Sequence, residues 1–261
     1  MLNRSVVSPE ARPHWGRRPV ADNEAAPFFA GCPGLIVSEF SYGRNACICA
    51  EGDAAEYVYQ VVRGAARSYR LLSDGRRQIG AFHLPGDVFG LEPGPTHHLT
   101  IEAIVDTTVR IVRRRALEAA AHADVNVACG LWAMTADDLR HAEDHMLLLG
   151  RKTAAQRVAT FLLEMDRRLA VAGVVALPMG RGDIADYLGL TLETVSRTVS
   201  QLHEDGTLGL SGARQITLRD RERLARMDAC ADRFAPSARR FRQSVSHPGA
   251  ARPLARRRAA E

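Results

Sequence analysis

The sequence predicts an α+β fold: an antiparallel β domain comes first, a long helix follows, and a smaller helical domain with a β-hairpin ends the folded part. Three observations predict it. Short apolar runs alternate with turn residues between positions 36 and 114, a proline-free helical stretch runs from 116 to 149, and two short helices meet at a glycine after residue 180. The 261 residues are enough for two average domains.

The composition is that of an ordinary globular protein, with 46% hydrophobic and 25% charged residues. No secretory signal and no apolar run of about 18 residues are present, so we expect a cytoplasmic protein without a membrane span. The five cysteines are odd in number and scattered, which excludes a disulfide framework and favours a reducing compartment. They are Cys32, Cys47, Cys49, Cys129 and Cys230.

Changes in composition and in hydrophobic periodicity divide the chain into five predicted parts. We expect a mobile arm over 1–30, the β domain over 31–115, the long helix over 116–150, the second domain over 151–225 and a basic tail over 226–261. The tail holds eight arginines between Arg233 and Arg258 and no acid in that range, whereas the whole chain carries a formal charge of +5. A basic excess suits nucleic acid or another anionic surface.

The β domain is predicted from its turns. Asp74-Gly75 stands between two β-like runs, which is a strong hairpin signal. A second turn is expected at Pro85–Asp87, and two further strands are expected on either side of Asp106. Turn signals at roughly 8–12 residue spacing predict an antiparallel sandwich or barrel. Because no long helical pattern interrupts them, a parallel α/β sheet is not expected.

The long helix carries an apolar seam. Its members are spaced by four, three, seven and seven residues: Val125, Cys129, Trp132, Leu139 and Met146. A repeat that approaches seven is the pattern of a coiled-coil seam. A helix of about thirty residues is long for a small domain, so we favour a homodimer packed along this seam over a helix buried in its own domain.

The second domain contains a predicted helix-turn-helix. Its first helix covers Asp183–Leu188, Gly189 provides the turn, and Thr191 is a natural N-cap for the next helix. In that helix an apolar stripe repeats at i, i+4 and i+7, which predicts its buried side: Val195, Val199 and Leu202.

The opposite side of this helix is polar and predicts a recognition helix for the major groove of DNA. An arginine can donate to O6 and N7 of guanine, a glutamate can accept from N4 of cytosine, and a serine can do either. The expected DNA-contacting residues are Thr191, Glu193, Ser196, Arg197 and Ser200. Arg214 lies at the tip of a predicted β-hairpin wing and is expected to contact the phosphate backbone.

These motifs resemble the CRP/FNR superfamily of dimeric transcription regulators over about residues 36–225. The resemblance is carried by LPGDVFGLE at 84–92 and by DIADYLGLTLETVSR at 183–197. The spacing of Glu193, Ser196 and Arg197 is similar to that of the FNR and FixK branch, whereas the cAMP-binding branch usually has glycine in place of the serine.

The resemblance implies a β-roll of the cyclic-nucleotide-binding type followed by a dimerisation helix and a winged helix-turn-helix. It also implies a homodimer on double-stranded DNA with palindromic TTGAT-like half-sites, contact with RNA polymerase, and activation of nitrogen-fixation or microaerobic genes. Neither catalysis nor a cofactor is expected.

Two departures from the superfamily bear on cofactors. Cys32 and Cys47 are fifteen positions apart, unlike the close N-terminal cysteine group that holds an iron–sulfur cluster in FNR-type sensors. His97 and His98 stand where the cAMP branch has its phosphate-binding arginine, so cyclic nucleotide binding is not expected. A regulator gated by haem, gas or an organic effector in the β-roll remains the alternative.

Two histidine pairs have weaker alternatives. His141 and His145 have a metal-like spacing on the long helix, but the acidic residues around them favour a solvated face over a metal site. His97 and His98 are expected to form a surface turn rather than to ligate haem or metal.

Overall fold

The structure is a computed structural model that describes residues 28–229 apart from residues 30, 31, 33 and 213. Most of the predicted arm and of the predicted tail, including Cys230 and all eight tail arginines, lies outside the described residues. Within the described part of the chain, no helix has the length and apolar character needed to cross a membrane.

The first domain is a roll of two four-stranded antiparallel sheets. One sheet has the order β1-β8-β3-β6 and the other the order β2-β7-β4-β5. The predicted hairpin at Asp74-Gly75 joins β4 to β5, and the two strands on either side of Asp106 are β7 and β8, which belong to different sheets. The strands are β1 Ser38–Tyr42, β2 Cys47–Cys49, β3 Tyr57–Arg63, β4 Ala66–Leu71, β5 Arg77–His83, β6 Val88–Phe89, β7 Thr100–Ala103 and β8 Thr107–Arg113.

The segment expected to be one long helix is two helices, α1 (Arg114–Ala123) and α2 (Val125–Arg151). Asp124 separates them in an extended conformation, with φ −132° and ψ 115°. Its backbone N–H donates to the carbonyl of Ala120 and closes α1, while its side chain accepts from the backbone N–H of Asn126, at 2.8 Å, and begins α2. One aspartate therefore ends one helix and caps the next.

The chain before β1 packs against these helices. Phe29 is 1% exposed and belongs to an apolar cluster with Leu117 of α1 and Val127 of α2. The ring of Phe28 lies over Gly130, where a Cβ atom would come within 2.8 Å of it. The expected mobile arm therefore does not extend to residue 30, because Phe28 and Phe29 are already part of the fold.

The second domain is a winged helix-turn-helix. Helix α3 begins with a capping box, in which Thr153 and Gln156 exchange hydrogen bonds. Its small antiparallel sheet has the order β11-β12-β10-β9. The elements are α3 Ala154–Leu169, β9 Ala170–Val171, β10 Val174–Ala176, α4 Arg181–Leu188, α5 Leu192–Glu204, β11 Leu208–Leu210, β12 Gln215–Leu218 and α6 Arg221–Ala229.

The two domains share one apolar core. Phe82 of β5 lies 5.1 Å from the ring of Tyr187 on α4 and 6.1 Å from the ring of Phe161 on α3, measured between ring centroids. Ile79 and Leu84 of the roll belong to the same buried cluster. Burial of large side chains from both domains in one cluster holds the helix-turn-helix against the roll.

The turn at Pro85–Asp87 adds a charged contact to this core. The Asp87 carboxylate accepts from the backbone N–H of Leu84, at 2.9 Å, and so closes the turn. The same carboxylate pairs with Arg168 of α3, whose side chain is 5% exposed and also lies 3.4 Å from Glu164. The LPGDVFGLE motif therefore ties the roll to the second domain.

The face of α2 with His141 and His145 is not solvated, and that expectation was wrong. The His145 ring lies 4.2 Å from the Tyr187 ring, and His141 Nε2 lies 3.4 Å from the Tyr187 hydroxyl. Neither ring nitrogen of His145 has a hydrogen-bond partner among the described residues. Burial lowers the pKa of His145 to about 4, with nearby His141 acting in the same direction and Glu164 opposing it.

We predict that His145 makes stability depend on pH. Its folded pKa, about 4, is below the ordinary 6.5, so between these values the unfolded chain binds more protons and stability falls as the pH falls. Between pH 7 and pH 4.5 the lost stability amounts to roughly 2–3 kcal/mol. His145→Phe keeps a ring beside Tyr187 and removes this component, which urea unfolding at pH 7 and pH 4.5 measures.

The matched control is His122→Phe on the exposed surface of α1, which should keep the wild-type difference between the two pH values. If His145→Phe also keeps that difference, His145 does not titrate as described.

Candidate nucleic-acid interface

The turn between α4 and α5 is fixed by backbone geometry. Gly189 has φ 60° and ψ 41°, the left-handed conformation that glycine adopts at little cost. The N–H of Leu190 donates to the carbonyl of Ala185, at 3.0 Å, and Arg157 of α3 donates to the carbonyl of Leu188, at 2.9 Å. The angle between the two helices is therefore held from inside the turn and from α3.

Helix α5 starts as the sequence indicates. The Thr191 hydroxyl accepts from the backbone N–H of Thr194, at 3.2 Å, which makes Thr191 the N-cap. The predicted stripe of Val195, Val199 and Leu202 is buried in the shared core. Because this stripe faces inward, the opposite side of α5 must face outward.

That outward side carries the predicted reading residues. Glu193, Ser196, Arg197 and Ser200 are all exposed. Hydrogen bonds from its own backbone N–H and from the Thr191 hydroxyl, with the nearby Arg197 charge, hold the pKa of Glu193 below its usual value. The surface thus offers an ionised acceptor and a guanidinium donor one helical turn apart.

Leu192 is a surface residue that the sequence analysis missed. It is the first residue of α5 and 49% exposed. An exposed apolar side chain beside Glu193 can contact the methyl group of thymine in a major groove. The sequence pattern indicated the opposite, because Leu192 stands three positions before Val195 and so continues the spacing of the buried stripe.

The predicted wing is the β11–β12 hairpin. Arg214 precedes β12, but its guanidinium donates to the carbonyl of Pro178, at 3.1 Å, and its carbonyl accepts from the N–H of Leu177, at 2.8 Å. Arg214 therefore links the wing to the segment that leads from β10 to α4. A phosphate contact by Arg214 stays a prediction.

Helix α2 exposes the predicted seam. Each of its five residues is exposed, with Trp132 at 79% and Val125 at 71%. Large apolar residues rarely line up in the open on a single helix, and such a surface marks an interaction site. Ala136 and Glu143 stand seven and fourteen residues after Cys129, so they occupy the same heptad position of the seam. The spacing of the apolar residues alone did not indicate these two positions.

The interior of the roll is filled by side chains. The rings of Tyr59 and Phe89 stack at 4.9 Å between centroids, and His97 lies behind them, 2% exposed, with its Nδ1 against Glu92. The expectation of a surface turn was therefore wrong for His97. His98 is exposed and its Nε2 contacts the carbonyl of Pro93, at 3.0 Å.

This packing does not fit a cyclic nucleotide. Both residues at the place of the phosphate-binding arginine are engaged by the loop that precedes them, and an acidic side chain lies against one of them. A phosphate there would meet a carboxylate where it needs an arginine fork.

The four described cysteines lie in different environments. Cys32 and Cys49 are buried, and Cys47 and Cys129 are exposed. Burial raises the pKa of Cys49 to about 12, which keeps it a neutral thiol. In the part of the chain that the structure describes, no three or more His, Cys, Asp or Glu residues are grouped to hold a metal ion.

A cleft of about 710 Å³ lies outside the roll, between the loop after β6 and helix α1. Arg114 crosses its edge and donates to the carbonyls of Gly90, at 2.7 Å, and Gly94, at 2.9 Å. The walls include Val58, Leu91 and Leu117. This cleft is separate from the roll interior in which the ligand-gated alternative places its effector.

Comparison with known proteins agrees with this architecture. The sequence matches the cyclic nucleotide-binding domain family over residues 39–124 and the Crp-like helix-turn-helix domain family over residues 156–227. It is 47% identical over 193 residues to the nitrogen fixation regulation protein FixK of Azorhizobium caulinodans, covering 72% of this chain and 78% of that protein. The chain belongs to the CRP/FNR family of transcription regulators.

Other CRP/FNR proteins narrow the relationship. The solved structure of FixK2 from Bradyrhizobium japonicum is 72% identical, with a TM-score of 0.73, and the match covers 75% of this chain and 98% of that one. The transcriptional activator protein FnrL of Cereibacter sphaeroides is 38% identical, covering 70% of this chain and 77% of FnrL. These relatives confirm the CRP/FNR fold, its FixK branch and a regulator with a DNA-binding helix-turn-helix rather than an enzyme.

We predict that Thr191→Ala destabilises the start of the helix that carries the reading residues. Loss of the cap leaves the N–H of Thr194 without its acceptor and should lower the free energy of unfolding by about 1 kcal/mol. Urea denaturation measures this. Ser200→Ala on the exposed side of the same helix is the control and should be neutral, since alanine favours helix. An equal loss in both variants would show that Thr191 has no special role.

Proposed function

We propose that this CRP/FNR regulator is a homodimeric, cytoplasmic transcription activator that binds a palindromic site with TTGAT-like half-sites. The observation that carries the proposal is the exposed polar side of α5, centred on Arg197, in a chain whose α2 also exposes an apolar seam. The first surface suits DNA and the second suits a second copy of the chain.

The reading residues match the chemistry of such a half-site. Its single G·C pair offers O6 and N7 of guanine to the Arg197 guanidinium and N4 of cytosine to the Glu193 carboxylate. Its thymines offer methyl groups to Leu192. Ser196 and Ser200 add hydroxyls on the same exposed side, and Thr191 stands at its N-terminal end.

The two-fold symmetry of a dimer would match the symmetry of a palindromic site. Two copies joined along Val125, Cys129, Trp132, Leu139 and Met146 would be related by a two-fold axis, and each would present one α5 to DNA. A symmetric pair of recognition helices reads two half-sites about one helical turn, roughly 34 Å, apart. An isolated copy could engage only one half-site.

The activator role and the targets are supported by relatives. FnrL is named as a transcriptional activator, and FixK as a regulator of nitrogen fixation. By the same analogy the β-roll contacts RNA polymerase at nitrogen-fixation or microaerobic promoters. The filled roll interior favours a regulator that acts without a bound cofactor.

We predict that Arg197→Ala lowers operator affinity by about thirtyfold or more, because a bidentate arginine–guanine contact is worth about 1–3 kcal/mol and the proposed homodimer loses one in each half-site. Arg197→Lys keeps the charge but lacks the planar guanidinium. It should therefore bind DNA of any sequence more tightly than Arg197→Ala does, without regaining the preference for the G·C pair. Fluorescence anisotropy on the operator and on a single-base variant measures both effects. Unchanged discrimination in Arg197→Ala would remove Arg197 as a reader.

We predict that Trp132→Asp weakens the homodimer by at least tenfold, since a charge replaces a large apolar residue at the centre of the seam. Sedimentation equilibrium measures the dissociation constant, and operator affinity should fall with it. Trp132→Phe retains an apolar ring and should dimerise nearly as the wild type does. A full-strength Trp132→Asp dimer would exclude this seam.

A further inference from the structure

Two arginines of the β4–β5 hairpin bind two aspartates of α4, the first helix of the helix-turn-helix. Arg67 of β4 lies 2.8 Å from Asp183, and Arg77 of β5 lies 2.8 Å from Asp183 and 2.7 Å from Asp186. Their side chains are only 10% and 24% exposed. We refer to these four residues, Arg67, Arg77, Asp183 and Asp186, as the hairpin clamp.

The clamp is more than a surface ion pair. Asp183 accepts from both arginines through one oxygen, and its other oxygen lies 3.3 Å from the backbone N–H of Gly180 at the start of α4. Arg67 also contacts Glu102 of β7 within its own sheet. Arg67 and Asp183 are largely removed from water, and Arg77 and Asp186 are partly so. Salt therefore screens these contacts less than it screens fully exposed pairs.

The clamp bridges the two domains on the side away from their covalent joint. The roll and α2 are covalently joined to the second domain at Lys152 and Thr153, both of which have extended backbone between α2 and α3. Rotation at this joint would carry α3, α4 and α5 together. Contacts from the hairpin to α4 oppose such a rotation, as does the donation from Gln78 to the Tyr187 carbonyl, at 3.4 Å.

The clamped position leaves α5 free for DNA. Glu193, Ser196, Arg197 and Ser200 are exposed while all clamp contacts are formed. The clamp therefore does not mask the reading surface. It holds that surface at a set orientation relative to α2, which carries the proposed seam.

We propose that Arg77 and Asp186, within the hairpin clamp, are positioning residues that set the distance and angle between the two recognition helices and hence the half-site spacing that the dimer prefers. This inference rests on the proposed dimeric binding to a palindrome. A dimer with a broken clamp would still bind DNA, but it would accept half-sites at several spacings and gain less from the correct one.

The test compares Arg77→Ala with Arg76→Ala in the full-length protein. Arg76 is the adjacent hairpin residue, 79% exposed, and pairs only locally with Asp74 among the contacts described. Anisotropy is measured on operators with the native spacing and with one base pair added or removed, and on a single half-site. For Arg77→Ala we expect the affinity for the native operator to fall about threefold to tenfold and the affinity for the half-site to stay unchanged. Adding or removing one base pair should reduce its affinity less than it reduces that of the wild type. Arg76→Ala should match the wild type.

A double-mutant cycle with Asp186→Ala identifies the pair. The double variant should lose no more operator affinity than the more strongly affected single variant, because both substitutions break the same contact. A general loss of stability would reduce binding to every operator and leave the spacing preference intact, which would overturn the positioning role. So would a wild-type spacing preference in Arg77→Ala. If the wild-type protein itself shows no preference for a palindrome over a half-site, the proposed function fails instead.

Discussion

The packing of Phe82 against Tyr187 and Phe161 is the interaction on which the rest of the structure depends. It places side chains of the roll and of the helix-turn-helix in one buried cluster. An apolar core of this kind is not directional, so it brings the domains together without fixing their mutual angle. Charged groups around it, such as Asp87 with Arg168, supply the direction.

The helices of the structure have buried sides that pack against neighbouring elements and exposed sides that face solvent. The inner sides of α4 and α5 are buried or bonded to neighbouring elements, whereas the outer sides of α5 and α2 offer a polar and an apolar surface respectively. Inside the roll the Tyr59 and Phe89 rings stack on each other, and His97 lies behind them. The roll packs against the helix-turn-helix and against α1 and α2, and so holds the exposed sides of α5 and α2 in place.

The sequence was sufficient wherever the deciding interactions are local. The Thr191 cap, the left-handed Gly189 and the outward Trp132 follow from periodicity and backbone preference over a few residues. It was insufficient where distant segments meet. Nothing near His145 or His97 in the sequence indicates that Tyr187 or Tyr59 covers it, and the break at Asp124 adds no proline or glycine to the pattern.

The candidate nucleic-acid interface shows the same division between local features and contacts of distant segments. Its polar residues could be read from the i, i+3, i+4 spacing of one helix, and the family resemblance gave them a role. Arg214 could be placed on the wing, but its bond to Pro178 depends on how the wing folds back on the domain. The clamp could not be found, because its arginines and aspartates are more than a hundred residues apart in sequence.

Gly130 is an unfavourable residue in the second turn of α2, where alanine would support the helix better by about 1 kcal/mol. Its place is explained by Phe28, whose ring occupies the space that any side chain would need. Helix α2 and the segment that precedes β1 therefore constrain each other's side chains. A side chain at residue 130 would require the Phe28 ring to move away from α2 or a smaller residue to replace it.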